Sequence, residues 1–194
     1  MKRIPLAKNE QARLQALKKY EILDSLSEEE FDRITEQASL ICDVPISLIS
    51  LIDENRQWFK SKVGLSLSET RRELAFCNYA IQGSELLEVE DATKDERFKN
   101  NELVTGDPKI RFYAGQPLVD PSGFALGTLC VIGQQPKRLT STQIRLLQLL
   151  AAQTMDLIVE RRQKAELKNF ENLFELSNDL ICIAGTDGFF KKVN

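Results

Sequence analysis

The chain has no histidine. A Ser-His or Cys-His nucleophile pair, a His-ligated haem and the usual His-containing zinc sites are therefore excluded. Nor does the chain carry a phosphoaccepting histidine. Nucleophilic chemistry would have to come from Cys42, Cys77, Cys130 and Cys182. These form no Cys-x-x-Cys pair and each sits among apolar neighbours, which predicts separate buried thiols in a reducing compartment. The other concentration of chemistry-bearing residues is Asp91–Ile132, where Asp95 and Arg97 open a polar segment and Arg111 starts an apolar run. An arginine facing a cavity offers forked donors to a carboxylate or phosphate. The competing reading is an internal Asp95–Arg ion pair that pins the segment down. Phe98, Phe112 and Tyr113 either wall a cavity or fill a core. Neighbours in a strand face opposite sides, so only one of Phe112 and Tyr113 can line the cavity. Phe76, Cys77 and Tyr79 are lid candidates on a short helix, with core packing as the alternative. The candidate ligand-contacting residues are Phe76, Tyr79, Arg97, Phe98, Arg111 and Tyr113; no catalytic residue and no metal ligand is assigned.

The elements that would position them follow from local pattern. Asp120-Pro121-Ser122-Gly123 is a type I turn signal, so Lys109–Val119 and Phe124–Ile132 read as an antiparallel hairpin. Gly115 and Gly127, inside those strands, suggest bulges or close backbone approach. Upstream, Asn9 caps a helix to about Lys19 with Leu14 and Leu17 on one face. Ser27 and Glu30 form a capping box for an amphipathic helix carrying Phe31, Ile34, Ala38 and Ile41, which ends near Asp43-Val44-Pro45. Ile46–Ile52 is a central strand and Arg56–Val63 its returning partner. Gly64–Arg72 reads as loop, Glu73–Gln82 as a short helix closed by Gly83, and Leu86–Glu90 as a strand. Thr93 with Glu96 predicts another helical turn, and Lys99–Pro108 a polar, turn-rich stretch.

Thr140 and Gln143 make a third capping box. No Gly or Pro interrupts the helix from Ser141 to at least Phe174, on the order of 50 Å. Ile144, Leu147, Ala151, Met155, Ile158, Arg162 and Ala165 follow a 3-and-4 spacing. Either the first half packs on the sheet while the second is solvated, or the helix pairs in a parallel dimer and passes a signal onward. After it come Leu180–Ala184, a Thr186-Asp187-Gly188 turn and Phe189–Val193, a hairpin with no further chain to complete a sheet. Apolar residues at 42% and charged ones at 28% can bury a core, and a net charge of −3 with mixed signs gives no footprint for nucleic acid or an anionic membrane. No apolar run approaches a membrane span, and Met1–Tyr20 lacks a signal peptide's apolar core, so the expectation is cytoplasmic.

DERFKNNELVTGDPKIRFYAGQPLV at Asp95–Val119 and GFALGTLCVI at Gly123–Ile132, in this order of elements, resemble a GAF domain of bacterial sensory proteins. ARLQALKKYEILD (Ala12–Asp24) and FDRITEQASLICDVPISLISLIDENRQWFKSKVG (Phe31–Gly64) are similar to the N-terminal half of the same family. The likeness covers about residues 8–160, and Phe170–Asn194 resembles the opening of a PAS domain. The expected organisation is a GAF-like domain over 1–160, a helical linker over 161–176 and a truncated PAS-like start over 177–194. The resemblance implies an α+β fold whose antiparallel sheet has about six strands. Terminal helices cover one face and a loop-covered pocket the other, and the fold alone fixes no ligand. It also implies side-by-side homodimers through the N- and C-terminal helices.

Several departures limit what the resemblance carries over. The Asn-Lys-Phe-Asp-Glu signature of cyclic-nucleotide binders does not run through Phe98–Asp120. Cys77 is followed by Asn78-Tyr79, where relatives have Ala-His, which disfavours a covalent bilin. Arg71 stands where relatives tend to have Pro. No cofactor is predicted, haem included. The leading functional reading is a sensory input module, without catalysis of its own. An unidentified small molecule or another signal would act through a long dimer helix on a histidine kinase or cyclase outside the chain. The alternatives are a ligand-free structural dimer spacer and a cysteine-based methionine sulfoxide reductase. The last needs an exposed nucleophilic thiol beside a resolving one, and Cys42, Cys77 and Cys130 match no such motif.

Overall fold

The run Ile46–Ile52 forms strand β1, all of whose residues are buried, because both of its faces are covered. In the computed structural model, which describes residues 6–175, 182–184 and 190–193, β1 lies inside a six-stranded antiparallel sheet. The other strands are β2 (Arg56–Val63), β3 (Glu69–Arg71), β4 (Leu87–Val89), β5 (Phe112–Val119) and β6 (Ala125–Gly133). The order is β3-β2-β1-β6-β5-β4. The expected α+β, GAF-like architecture is thus present, and β1 and β2 have the bounds read from the sequence. Strand β3 arises inside the stretch read as loop, where Glu69–Arg71 pairs with Arg56–Trp58.

The β5–β6 hairpin closes through the predicted turn. The amide of Gly123 donates to the Asp120 carbonyl at 2.8 Å, and the Asp120 carboxylate accepts from the amides of Ser122 and Phe124 at 3.0 and 2.8 Å. Gly123 has φ of 86°, a left-handed conformation that glycine adopts without strain. Strand β5 starts at Phe112 rather than Lys109, because Lys109 has φ of 59° and its amide bonds back to Gly106. Close approach is the reason for the in-strand glycines: a side chain at Gly127 would strike the Ser50 backbone, and one at Gly115 would strike the Tyr113 hydroxyl.

Helices α1 (Glu10–Lys19) and α2 (Glu29–Cys42) precede the sheet. α2 buries Phe31, Ile34 and Ala38 against β1, β2 and β6. The Ser27–Glu30 capping box does not form; Glu28 occupies the cap position without a side-chain cap. The cause is Lys60, whose fully buried ammonium donates to Ser25 Oγ, the Leu26 carbonyl and Glu28 Oε1 at 2.9, 2.6 and 2.6 Å. These acceptors satisfy a buried charge and fix the segment ahead of the helix. Thr93 does not cap the next turn either, because its hydroxyl donates to Asp91 at 2.6 Å; the turn starts instead at Asp95, whose carboxylate accepts from the Arg97 amide at 2.9 Å and whose carbonyl accepts from the Lys99 amide at 2.8 Å.

The helix expected over Glu73–Gln82 is broken into a 3₁₀ turn (Arg72–Leu74) and a four-residue helix, α3 (Cys77–Ala80). Asn101 Nδ2 takes the Leu74 carbonyl at 3.0 Å, the acceptor a continuous helix would offer to the Asn78 amide, and Ala75 is extended. Asn101 also caps α4 (Glu102–Thr105), a helix the polar stretch did not signal. The Thr140–Gln143 capping box does form, with reciprocal bonds of 3.2 and 3.0 Å, and opens α5 (Ser141–Glu175). Leu147, Leu150, Ala151, Met155 and Ile158 are buried, and Gln143 Nε2 donates to the Ile41 carbonyl of α2.

The chain divides into two compact units, Met1–Ile158 and Val159–Asn194. In the second, Leu167, Phe170 and Leu173 are exposed on α5. There β7 (Cys182–Ala184) pairs antiparallel with β8 (Phe190–Val193); the Thr186-Asp187-Gly188 turn lies outside the described residues. Among the described residues no helix is long and apolar enough to cross a membrane.

A buried charge cluster ties α1 to the sheet. Glu10 accepts from Arg13 Nη2 at 2.7 Å and Arg72 Nη1 at 2.6 Å, and both arginines are almost fully buried. Burial pushes the Glu10 carboxyl up, but the two guanidinium groups outweigh it and hold it down at about 2. A depressed carboxylate contributes stability that is complete above its unfolded value. That stability is lost as pH falls from about 4.5 to about 2. Allowing for screening at this partly solvated edge, the contribution is about 2 kcal/mol. Glu10→Gln is therefore expected to be less stable at neutral pH, with the deficit vanishing towards pH 2; urea midpoints measured against pH check this. A deficit independent of pH would show that the charge is not what matters.

Candidate functional site

On the sheet face away from α1 and α2 lies a partly open, largely apolar cavity of about 230 Å³. Leu48 of β1, Phe59 of β2, Tyr113 of β5 and Ile132 of β6 form its floor. Phe76 and Cys77, Leu103 of α4, Ile110, and Leu65 to Leu67 close it from above. Gln57, Thr70 and Asp107 are among the few polar groups on its lining, and the buried Thr70 hydroxyl has no hydrogen-bond partner.

The aromatic residues read from the sequence gather here. Phe76 stacks on Phe98 with ring centroids 3.9 Å apart and planes 10° off parallel, and Tyr113 lies 5.2 Å from Phe76. Tyr79 meets Phe98 edge-on at 4.8 Å. Phe76 and Tyr113 line the cavity, while Phe98 is fully buried behind Phe76 as its wall and Tyr79 props that wall from outside. Phe112 and Tyr113 point to opposite faces, as alternation requires: Tyr113 belongs to the cavity-side core and Phe112 does not.

The two arginines are elsewhere. Arg97 grips Asp95 through Nε and Nη2 at 2.9 and 2.6 Å, and its guanidinium lies 5.0 Å over the outer face of Phe98. Arg111 donates to the carbonyls of Val104 and Ile110 at 2.9 and 3.0 Å, and lines a separate open hollow with Asp91 and Gln134. Arg97 makes the internal Asp95–Arg pair of the competing reading, whereas Arg111 ties the covering segment through backbone carbonyls. Neither is on the cavity lining.

Sequence reasoning missed two features. The first is Arg72, whose buried guanidinium donates to Asn78 Oδ1 at 2.8 Å, the Asp53 carbonyl at 3.0 Å and Glu10. It thereby fixes α3. The second is the pairing of Cys77 with Cys130, whose sulfurs lie 3.7 Å apart and are fully buried. Cys130 shares the cavity face with Ile132, two residues on, so strand alternation carried the signal; its meeting with α3 did not show. Tyr113 Oη and Gln57 Nε2 each donate to Cys77 Sγ at 3.3 Å. Burial pushes the Cys77 thiol up, yet donors from Cys130, Ser50, Thr128 and Tyr113 outweigh it and bring it below the ordinary thiol value. Cys130 is held well above that value by its bond to Cys77 and by burial. Cys42 is buried as expected; Cys182 is not, being exposed on β7.

Comparison with known proteins places this geometry. Residues 27–157 match the GAF domain family. A cyclic di-GMP phosphodiesterase from Pseudomonas aeruginosa is 42% identical over 133 residues, 69% of this chain and 23% of that protein. The chain thus spans about a quarter of that relative's length. The GAF domain of a phosphoenolpyruvate-protein phosphotransferase from Coxiella burnetii superposes with a TM-score of 0.60 at 14% identity, over 82% of this chain and 99% of that one. The blue-light absorbing form of the PixJ GAF domain from Thermosynechococcus elongatus gives a TM-score of 0.58 at 13% identity, over 86% and 98%. With two thirds of its residues inside the family match, the chain belongs to the GAF domain family.

Proposed function

We propose that this chain is the sensory input module of a bacterial signal-transduction protein, with its cavity taking a small apolar molecule. The observation that carries this reading is the apolar cavity bounded by β6, the strand that leads within a few residues into α5. A ligand pressing on Tyr113 and Ile132 would load β6, and the Thr140–Gln143 cap would pass the displacement to α5. A cavity of about 150 Å³ holds benzene, so 230 Å³ suits a ligand of about nine or ten non-hydrogen atoms. A tetrapyrrole is several times larger, which supports the expectation of no bilin or haem. Leu146, Leu149, Leu167, Phe170 and Leu173 are exposed along α5 and suit a homodimer partner helix. The phosphodiesterase relative favours cyclic di-GMP turnover as the output, carried by a domain outside this chain. The β7–β8 hairpin fits the opening of a PAS-like domain, with 161–176 as the linker.

Purified protein is expected to release a small apolar compound detectable by mass spectrometry, or to be stabilised by one in a thermal-shift screen. In sedimentation it should be a dimer. A monomer at all concentrations would remove the dimer-signalling part. A dimer that neither retains nor gains a ligand would leave a structural spacer in its place.

A further inference from the structure

We propose that Cys77 and Cys130 form a dithiol that a hydroperoxide oxidises to a disulfide inside the cavity. The proposal rests on the cavity of the sensory reading but needs neither its ligand nor its dimer. The two sulfurs come from α3 and β6, 53 positions apart, and stand at 3.7 Å without a bond between them. A disulfide needs about 2.0 Å, a closure that a four-residue helix, preceded at Ala75 by extended backbone, can supply.

The surroundings restrict the oxidant. Both thiols are buried, and Cys77 is reached through the cavity it lines. A protein disulfide or glutathione disulfide is too large for that approach, whereas a hydroperoxide fits among Leu48, Phe76 and Tyr113. The donors on Cys77 Sγ, Tyr113 Oη and Gln57 Nε2, are placed to hold a thiolate, the form that attacks peroxides. Cys130, held as thiol, is the resolving partner.

The steps balance. Cys77 thiolate attacks the distal oxygen of the hydroperoxide, the O–O bond breaks, and the alkoxide leaves as alcohol with the proton Cys77 had released. Cys77 is now a sulfenic acid. The Cys130 sulfur then attacks Cys77 Sγ; the S–S bond forms, the S–O bond breaks, and hydroxide leaves as water with the Cys130 proton. Two thiols lose two electrons and the hydroperoxide gains them. Tyr113 Oη and Gln57 Nε2 lose their acceptor, and Phe76, next to Cys77 in the chain, is drawn towards Tyr113. Oxidation would therefore reshape the same walls a ligand would touch.

The test is to expose the folded full chain to tert-butyl hydroperoxide or hydrogen peroxide, alkylate under denaturing conditions, and map the peptides. The expected product is a dithiothreitol-reversible Cys77–Cys130 cross-link, with Cys42 left as thiol. Cys130→Ser should lose the cross-link completely and leave a Cys77 sulfenic acid that dimedone traps. Cys77→Ser should lose both, with circular dichroism confirming that each variant is folded. Oxidation confined to the exposed Cys182, or a cross-link that forms only in urea, would overturn the proposal. Ligand screening on the reduced protein is read separately. A ligand without a cross-link leaves the sensory reading standing alone, and a cross-link without a ligand leaves the dithiol standing alone.

Discussion

Arg72→Ala is expected to lower the unfolding free energy by about 3–5 kcal/mol, the usual cost of removing one partner from a buried ion pair. The residue is 2% exposed and its side chain serves three elements at once. Its Nη1 reaches Glu10 of α1 and the carbonyls at the β1–β2 turn, and its Nε reaches Asn78 of α3. Its loss leaves the Glu10 carboxylate with Arg13 alone of the two guanidinium groups and removes the Arg72 bond to Asn78 Oδ1, and weakening buried polar pairs adds a penalty. Arg72→Lys should recover only part of the loss, because an ammonium cannot span the fork between Glu10 and Asn78. Urea unfolding of the three proteins at neutral pH decides. A loss below about 1 kcal/mol for Arg72→Ala would mean the cluster is a solvated surface pair after all.

What the sequence disclosed depended on the range of the interactions involved. The strands β1 and β2, the Asp120–Gly123 turn and the start of α5 were readable because a short apolar, β-branched run, turn chemistry and a capping box act within a few residues. The Ser27–Glu30 and Thr93–Glu96 patterns carried the same local signature and failed. In the first, a buried lysine 32 residues from Glu28 took over the segment; in the second, Asp91 captured the threonine hydroxyl. The helix expected after Arg72 was cut by Asn101, whose Nδ2 donates to the Leu74 carbonyl 27 residues away. Lys60 and Asn101 could not be chosen from local spacing, whereas Asp91, two residues from Thr93, is a local competitor for its hydroxyl.

The cavity follows the same division. Phe76, Phe98 and Tyr113 stood out as large aromatics in strand or lid positions, and they do meet. Arg97 and Arg111 stood out for their charge, yet their fork geometry is spent on Asp95 and on backbone carbonyls. Cys77 and Cys130 each look like ordinary small core residues. Only the register of β6 against β5, which sets Cys130 opposite Gly115 and beside the space the Tyr113 hydroxyl occupies, brings them together.

Phe98→Ala is expected to cost about 3–5 kcal/mol, the range for truncating a buried aromatic, and it also separates a ligand cavity from ordinary core. Phe98 is fully buried and stacked on Phe76, so its removal takes away the wall behind a cavity-lining ring. Phe76 would then be free to tilt back, joining the new space to the existing 230 Å³. Phe112→Ala removes an equally buried ring that lies outside the cavity-side core, and should cost a similar amount. The two variants ought to part company with an apolar probe. Benzene should stabilise Phe98→Ala more than the unmodified chain, following the logarithm of its concentration over its dissociation constant, and Phe112→Ala no more than the unmodified chain. Urea midpoints with and without benzene measure this directly. Equal stabilisation of both variants would show that space behind Phe98 is no more continuous with the cavity than space behind Phe112. The aromatic wall would then be plain core rather than the boundary of a binding site.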